Sequence, residues 1–397
     1  MKSTFRIIEK SKSFVLKTVV NKDTLLQSIR DLGYTVEKDI DIEDDKARDL
    51  AIALSGKPNF LAGISDNASD VYDQGIEPGI YYKYLTGGYG PEQPNWRGWN
   101  SPDGVYVDMV IAAAQRNGAI PMFTYFQLAS ELSKKNYGIF THPNMKLYLQ
   151  DLKVMFERIA SFDIPAIVQL EPDFFGYMQG ENIDLVKTKV NLHYDDFQDF
   201  KDFTENPIGL MQGIVAMCRK IAPKVKIGYH VSRWASWWDT SIPIYDLETK
   251  ANDVADFLLR LGADKTDFVT IETLDRDAGY KETMSQGEYY WDETNETYPN
   301  FAQYFEWVEH VSARMNLPVL WWQLPLGVPS KIQGGTREHY RDNRVRYFFK
   351  HVQELIDCGS FGMVFGAGAT GQTLITTDEY QFRDAMREHN KNPKEIK

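Results

Sequence analysis

Ala166 to Asp173 reads AIVQLEPD, an apolar run that ends in two carboxylates with a proline between them. Seven further runs share its length and character: FLAGIS (Phe60 to Ser65), IYYKYL (Ile80 to Leu85), IPMFTYFQ (Ile120 to Gln127), KIGYHVS (Lys226 to Ser232), FVTIETLD (Phe268 to Asp275), PVLWWQLP (Pro318 to Pro325) and GMVFGAG (Gly362 to Gly368). Between most of them lie stretches with the periodicity of an amphipathic helix, such as LYLQDLKVMFERIASF, LMQGIVAMCRKIA, ANDVADFLLRLGA, YFEWVEHVSARM and YFFKHVQELIDC. Short apolar strands alternating with helices specify a parallel sheet, because each crossover helix covers a sheet face. Eight such units predict an α/β fold, a (β/α)8 TIM-type barrel.

The 397 residues exceed the ~250 of a bare barrel, which leaves room for long loops and an N-terminal piece. Residues 1–55 differ in character from the rest. They hold two β-like runs (TFRIIE, SFVLKTVV), a helix-like TLLQSIRDLG and the acidic stretch DIDIEDDKARD, and they read as an appendage or linker ahead of a catalytic barrel over 56–397. The acidic stretch lacks the glycine turn and spaced ligands of an EF-hand loop, so it reads as a solvated acidic face. Lys plus Arg number 44 against 56 Asp plus Glu, a net charge of −12, and no basic cluster interrupts the balance. Nucleic acid and anionic membrane are therefore excluded as expected partners. No apolar run is long enough to span a bilayer, and the N-terminus does not read as a signal peptide. The two cysteines, Cys218 and Cys358, fall in predicted helices as small buried hydrophobes.

Side chains alternate across a strand, and in a barrel one parity meets the helices while the other fills the lumen. In AIVQLEPD the apolar set Ala166, Val168 and Leu170 suits the helix layer, which turns Gln169, Glu171 and Asp173 inward. The same reasoning turns Gly228, His230 and Ser232 inward on the fifth run, and Thr270 and Glu272 on the sixth. Three neighbouring strands thus deliver Glu171, His230 and Glu272 to the C-terminal mouth, where barrel enzymes carry their active sites. No second histidine lies at H-x-x-x-H spacing, so neither a metal nor a cofactor is expected.

Of nine tryptophans, only Trp307 sits in a predicted helix; Trp96, Trp99, Trp234, Trp237, Trp238, Trp291, Trp321 and Trp322 fall in top-side loops or near strand ends. Aromatic platforms edged with Asp, Asn, Gln and Tyr suit a pyranose, which offers one C–H face and a rim of hydroxyls. About half of these rings are expected to pack loops onto the barrel instead. GAGATGQT (Gly366 to Thr373) matches G-x-G-x-x-G, yet the phosphate-loop lysine position holds Gln372 and no βαβ unit follows. Its glycines, with those of GVPSKIQGGT, are read as letting the loops turn close to the mouth.

These residues resemble (β/α)-barrel glycoside hydrolases. Glu171 and Pro172 match the acid/base position of the Asn-Glu-Pro retaining superfamily, with Leu170 where that family has Asn and Gln323 near its nucleophile position. Glu171-Pro172-Asp173 followed by GYHVSRWASWW is also similar to family 6 cellulases, although their aspartate-rich acid motif has no counterpart after IPMFTYFQ. The expectation is a glycosidase with Glu171 as general acid and Glu272 as its partner. Asp173, His230, Asp275, Tyr125, Gln323, Trp234, Trp237, Trp238, Trp321 and Trp322 would hold a carbohydrate substrate, and such a function favours an extracellular or cell-surface setting. A spacing of ~6 to 9 Å between inward carboxyls on the fourth and sixth strands predicts inversion. Two other readings are a non-catalytic carbohydrate-binding barrel and a barrel aldolase, isomerase or phosphate-handling enzyme.

Overall fold

The computed structural model describes residues 3–9, 12–18, 45–90, 94–141, 143–284 and 287–397. The two N-terminal β-like runs form an antiparallel hairpin, β1 (Ser3–Glu9) with β2 (Lys12–Thr18), in which Ser3 faces Thr18. TLLQSIRDLG, and the acidic stretch as far as Asp44, lie outside the described residues.

The eight apolar runs are eight parallel strands. They are β3 (Leu61–Ser65), β4 (Ile80–Thr86), β5 (Ile120–Phe126), β6 (Ala166–Leu170), β7 (Val225–His230), β8 (Phe268–Ile271), β9 (Val319–Leu324) and, after a two-residue pair β10 (Gly335–Thr336) and β11 (His339–Tyr340), β12 (Ser360–Gly366). They close in sequence order, with β12 pairing β3 on one side and β9 on the other. Closure removes the sheet edges, and amphipathic helices cover the outside. Leu247–Arg260 is typical: Leu247, Ala251, Val254, Ala255 and Leu258 form its buried stripe, at roughly 1.5 to 3 kcal/mol for each large side chain taken out of water. Lys46–Ser55 belongs to the same layer, since it buries Ala47, Leu50, Ala51 and Leu54 and packs on β12. Its start is set by Asp45, whose carboxylate accepts the Arg48 N–H at 3.1 Å, and its end by Gly56 at φ 75°.

Strand parity runs as the sequence implies over the lower part of the barrel. Thr124 Oγ1 on β5 donates to Gln169 Oε1 on β6 at 2.8 Å, and Gln169 Nε2 donates to Thr270 Oγ1 on β8 at 2.7 Å. All three side chains are buried and meet across the lumen, so the floor beneath the mouth is a satisfied polar layer between apolar ones. Both cysteines are buried, and burial pushes the Cys218 thiol up to about 12. Among the described residues, no helix is long and apolar enough to cross a membrane.

Candidate active site

At the top of the barrel the alternation breaks. Glu171, Asp173 and Gln323 have φ of 46°, 66° and 53°, a region L residues enter only at a cost of order 1 to 3 kcal/mol. Each such residue rotates the chain and redirects the side chains beyond it. Glu171, expected inward, turns out of the lumen under the loop after β5. Its carboxylate accepts the backbone N–H groups of Gln127 (3.1 Å), Leu128 (2.8 Å) and Ala129 (3.2 Å), the first turn of Leu128–Leu132. Burial pushes its pKa up to about 7 against the pull of those N–H groups. Tyr125 also faces the helix layer, one position off the lumen parity of Thr124. Its hydroxyl donates to Gln127 Oε1 and its ring packs edge-on against Trp96 and Tyr148. Asp151, paired with Arg97 at 2.9 Å and bonded to Gly90 N–H and Gln127 Nε2, completes this network. Glu171 and Tyr125 are thus taken from the expected substrate-facing set by backbone rotation and by parity respectively.

Asp173, His230 and Glu272 do converge. One ligand-type atom from each lies within 4.8 Å of the other two. Asp173 precedes the helix Phe174–Gly180 without capping it, and its Oδ1 accepts the Trp234 Nε1 hydrogen at 3.1 Å. Gly176 in that helix permits the arrangement, because a Cβ there would stand 2.5 Å from the Trp234 ring and 2.6 Å from Ser232. His230 ends β7, is 0% exposed, and has no hydrogen-bond partner on either ring nitrogen among the described residues. Burial lowers its pKa to about 3, so the imidazole is neutral near pH 7. Desolvation is also the first cause that holds Glu272 well above the ordinary carboxylate range; Asp173 and Asp275 push the same way, while Arg233 and Lys281 pull back. Asp173 is raised by desolvation too, against the Trp234 hydrogen bond. Two acids crowded out of water hold a proton between them more readily than two charges.

The walls come from four other places. Tyr84 donates to Gln323 Oε1, its ring lies 5.9 Å from Trp322, and Trp322 meets His230 edge-on at 5.3 Å. Tyr82 stands at the same lumen parity, below Tyr84. Neither tyrosine was singled out in the sequence, although the alternation in IYYKYL carries the signal. Asp275 lies at the rim, tied to Arg276 and, at 3.2 Å, to Lys281. Gly368 in GAGATGQT comes close enough that a Cβ would meet Asp275 O and Gln323 Nε2, so this glycine serves close approach. Trp237 is 81% exposed on the loop after β7. Trp238 and Trp321 leave the expected substrate-facing set: Trp238 stacks on Tyr304, and Trp321, at the outward parity of β9, packs on Phe305 and Phe348 with its Nε1 bonded to Ser360.

No family model and no curated protein matches this sequence. Among solved structures, the chain is similar to the endoglucanase Cel6 from Mycobacterium tuberculosis in complex with a thio-linked cellobioside, at 15% identity and a TM-score of 0.33, covering 64% of each chain. It is similar to a double mutant of the Cellulomonas fimi endo-β-1,4-mannanase at 10% identity and a TM-score of 0.49, covering 87% of this chain and 74% of that one. It is also similar to the β-glucosidase 1317, at 13% identity and a TM-score of 0.46, covering 82% and 89%. The chain therefore spans about two thirds of the first of these, and the chemistry of the site rests on its own residues.

Proposed function

We propose that the protein is a glycoside hydrolase acting on an oligosaccharide or polysaccharide, with Glu272 and Asp173 as the catalytic pair. The observation that carries this reading is the approach of two half-buried carboxyl groups, one oxygen of each within 4.8 Å of the other, at the C-terminal mouth of the barrel. Cleavage of a glycosidic bond needs one carboxylic acid to protonate the leaving oxygen and one carboxylate to act as nucleophile or base. Burial, with Asp173 and Asp275 beside it, holds Glu272 well above the ordinary carboxylate range, which suits it to keep the proton and serve as general acid. Asp173, with the Trp234 N–H on its oxygen, takes the ionised role. The general-acid role read from the sequence for Glu171 passes to Glu272, since the Glu171 oxygens are spent on backbone N–H groups.

Neutral His230 donates from one ring nitrogen and accepts on the other, which suits a sugar hydroxyl. Trp322, Trp234 and Tyr84 supply the apolar face against which a pyranose packs. The sequence expectation of inversion depends on a wide Glu171–Glu272 spacing. With one oxygen of Asp173 within 4.8 Å of one oxygen of Glu272, the pair is drawn together rather than held apart around a water, and we read it as double displacement with Asp173 attacking the anomeric carbon. The test is hydrolysis of a panel of glucans, mannans, xylans and bacterial envelope glycans, with proton NMR of the first product. Binding without cleavage would make the protein a carbohydrate-binding barrel. An inverted product would assign the base to Asp275, farther out on the rim.

A further inference from the structure

The atoms that Asp173, His230 and Glu272 bring within 4.8 Å are two carboxylate oxygens and one imidazole nitrogen. That donor set suits Zn²⁺ and its first-row neighbours, and three protein ligands beside an open position is the arrangement of a reactive rather than a structural zinc site. Acidic groups crowd together on many surfaces without any ion, so the carboxylates alone would say nothing. His230 is the independent sign. Buried polar atoms in folded proteins find partners, yet this imidazole is fully enclosed, neither nitrogen is bonded among the described residues, and one nitrogen lies within 4.8 Å of an oxygen of each acid. The Trp234 N–H on Asp173 Oδ1 steers the other oxygen, the kind of outer contact that orients a ligating carboxylate. Ligands at ~2.0 to 2.1 Å around a tetrahedral ion stand about 3.4 Å apart, a contraction that rotation of the two carboxyl groups supplies.

We infer that Asp173, His230 and Glu272 form a binding site for a divalent transition-metal ion of the Zn²⁺ type, and that the ion occupies the carboxylate oxygens the proposed hydrolase needs, so that metal occupancy and glycoside cleavage exclude each other. The metal site stands on the geometry; the exclusion rests on the function proposed above. Both carboxylates and the imidazole would coordinate the ion without redox change.

The experiment titrates chelator-stripped full-length protein with Zn²⁺ by calorimetry and with Co²⁺ by visible absorption. The expected result is one ion per chain and a higher melting temperature. His230→Gln and Asp173→Asn, checked for folding by circular dichroism, should each weaken Zn²⁺ at least about tenfold. Mg²⁺, which prefers six oxygens, should bind more weakly than Zn²⁺ by a similar factor. Absence of Zn²⁺ and Co²⁺ binding by the wild-type chain overturns the site, as does a folded His230→Gln variant that binds as tightly as wild type. If the variants do not fold, the wild-type cobalt spectrum decides: tetrahedral bands support the site and a six-coordinate aqua spectrum overturns it. Zn²⁺ binding by a chain that cleaves no glycan upholds the site and removes the hydrolase reading. Cleavage that continues at saturating Zn²⁺ overturns the exclusion.

Discussion

Glu171 and Asp173 are two residues apart, both at left-handed φ, both held away from bulk water, and opposite in what surrounds them. Glu171 meets three backbone N–H groups that have no other use, and it pins the start of a short helix. Asp173 meets one indole N–H, a second acid and a histidine whose nitrogens have no hydrogen-bond partner among the described residues. The first carboxyl is raised in pKa although its hydrogen bonds are made; the second is raised in company with a neighbour of the same charge. Burial of a charge therefore does not by itself mark a catalyst. What separates structural from chemical is whether the protein has already answered the group's hydrogen-bonding needs.

The largest effect that sharpens this contrast is on turnover. Glu272→Gln and Asp173→Asn should each reduce glycan hydrolysis by roughly 10² to 10⁴-fold, with melting temperatures no lower than wild type because each replaces a carboxyl whose charge burial disfavours. A variant that keeps near-normal turnover would take its residue out of the pair. Glu171→Ala should show the reverse pattern. Leaving its N–H partners buried and unmet should cost about 2 to 4 kcal/mol of stability, read from the denaturant midpoint. A Glu171→Ala variant that is as stable as wild type yet dead would erase the contrast and restore Glu171 to the chemistry.

A smaller effect comes from pH. Burial raises the folded pKa of Glu171 to about 7, above its ordinary value, so its protonated form favours the fold. The stability this brings is complete below about pH 4 and is lost as pH rises through 7. The urea midpoint should accordingly fall between about pH 5 and pH 8, and Glu171→Gln should flatten that slope. A midpoint that climbs over the same range would mean the N–H groups outweigh burial. The smallest effect is at the rim: Trp237→Ala should leave stability unchanged and weaken binding of longer oligosaccharides by about 1 kcal/mol, with no change for the shortest substrates.

The sequence made the barrel legible because its strands are short, apolar and regularly interrupted by helical periodicity. Parity carried the reading as far as Gln169, Thr270 and His230. It stopped at the strand ends, where an L residue at positive φ reverses the facing of the next side chains, and nothing in the letters Leu-Glu-Pro-Asp announces that reversal. Glu171 was lost there. Tyr125 was misplaced for a simpler reason, since its neighbour Thr124 already held the lumen position. Asp173, His230 and Glu272 sit on three different strand ends, a juxtaposition that no local spacing can express. Trp238 and Trp321 look like platform residues in composition, but the aromatic layer behind the strands claimed them.

Gln169 adds a consequence of its own. Its amide takes a hydrogen on one side and gives one on the other, so the chain Thr124 to Gln169 to Thr270 has a direction. A symmetric group could slide or flip; an oriented amide between two hydroxyls reads left from right. The strands that carry Asp173 and Glu272 are thereby keyed to each other from beneath, at a depth the long mouth loops do not reach. The spacing of Asp173 and Glu272 is set by the floor of the barrel rather than by the loops above it.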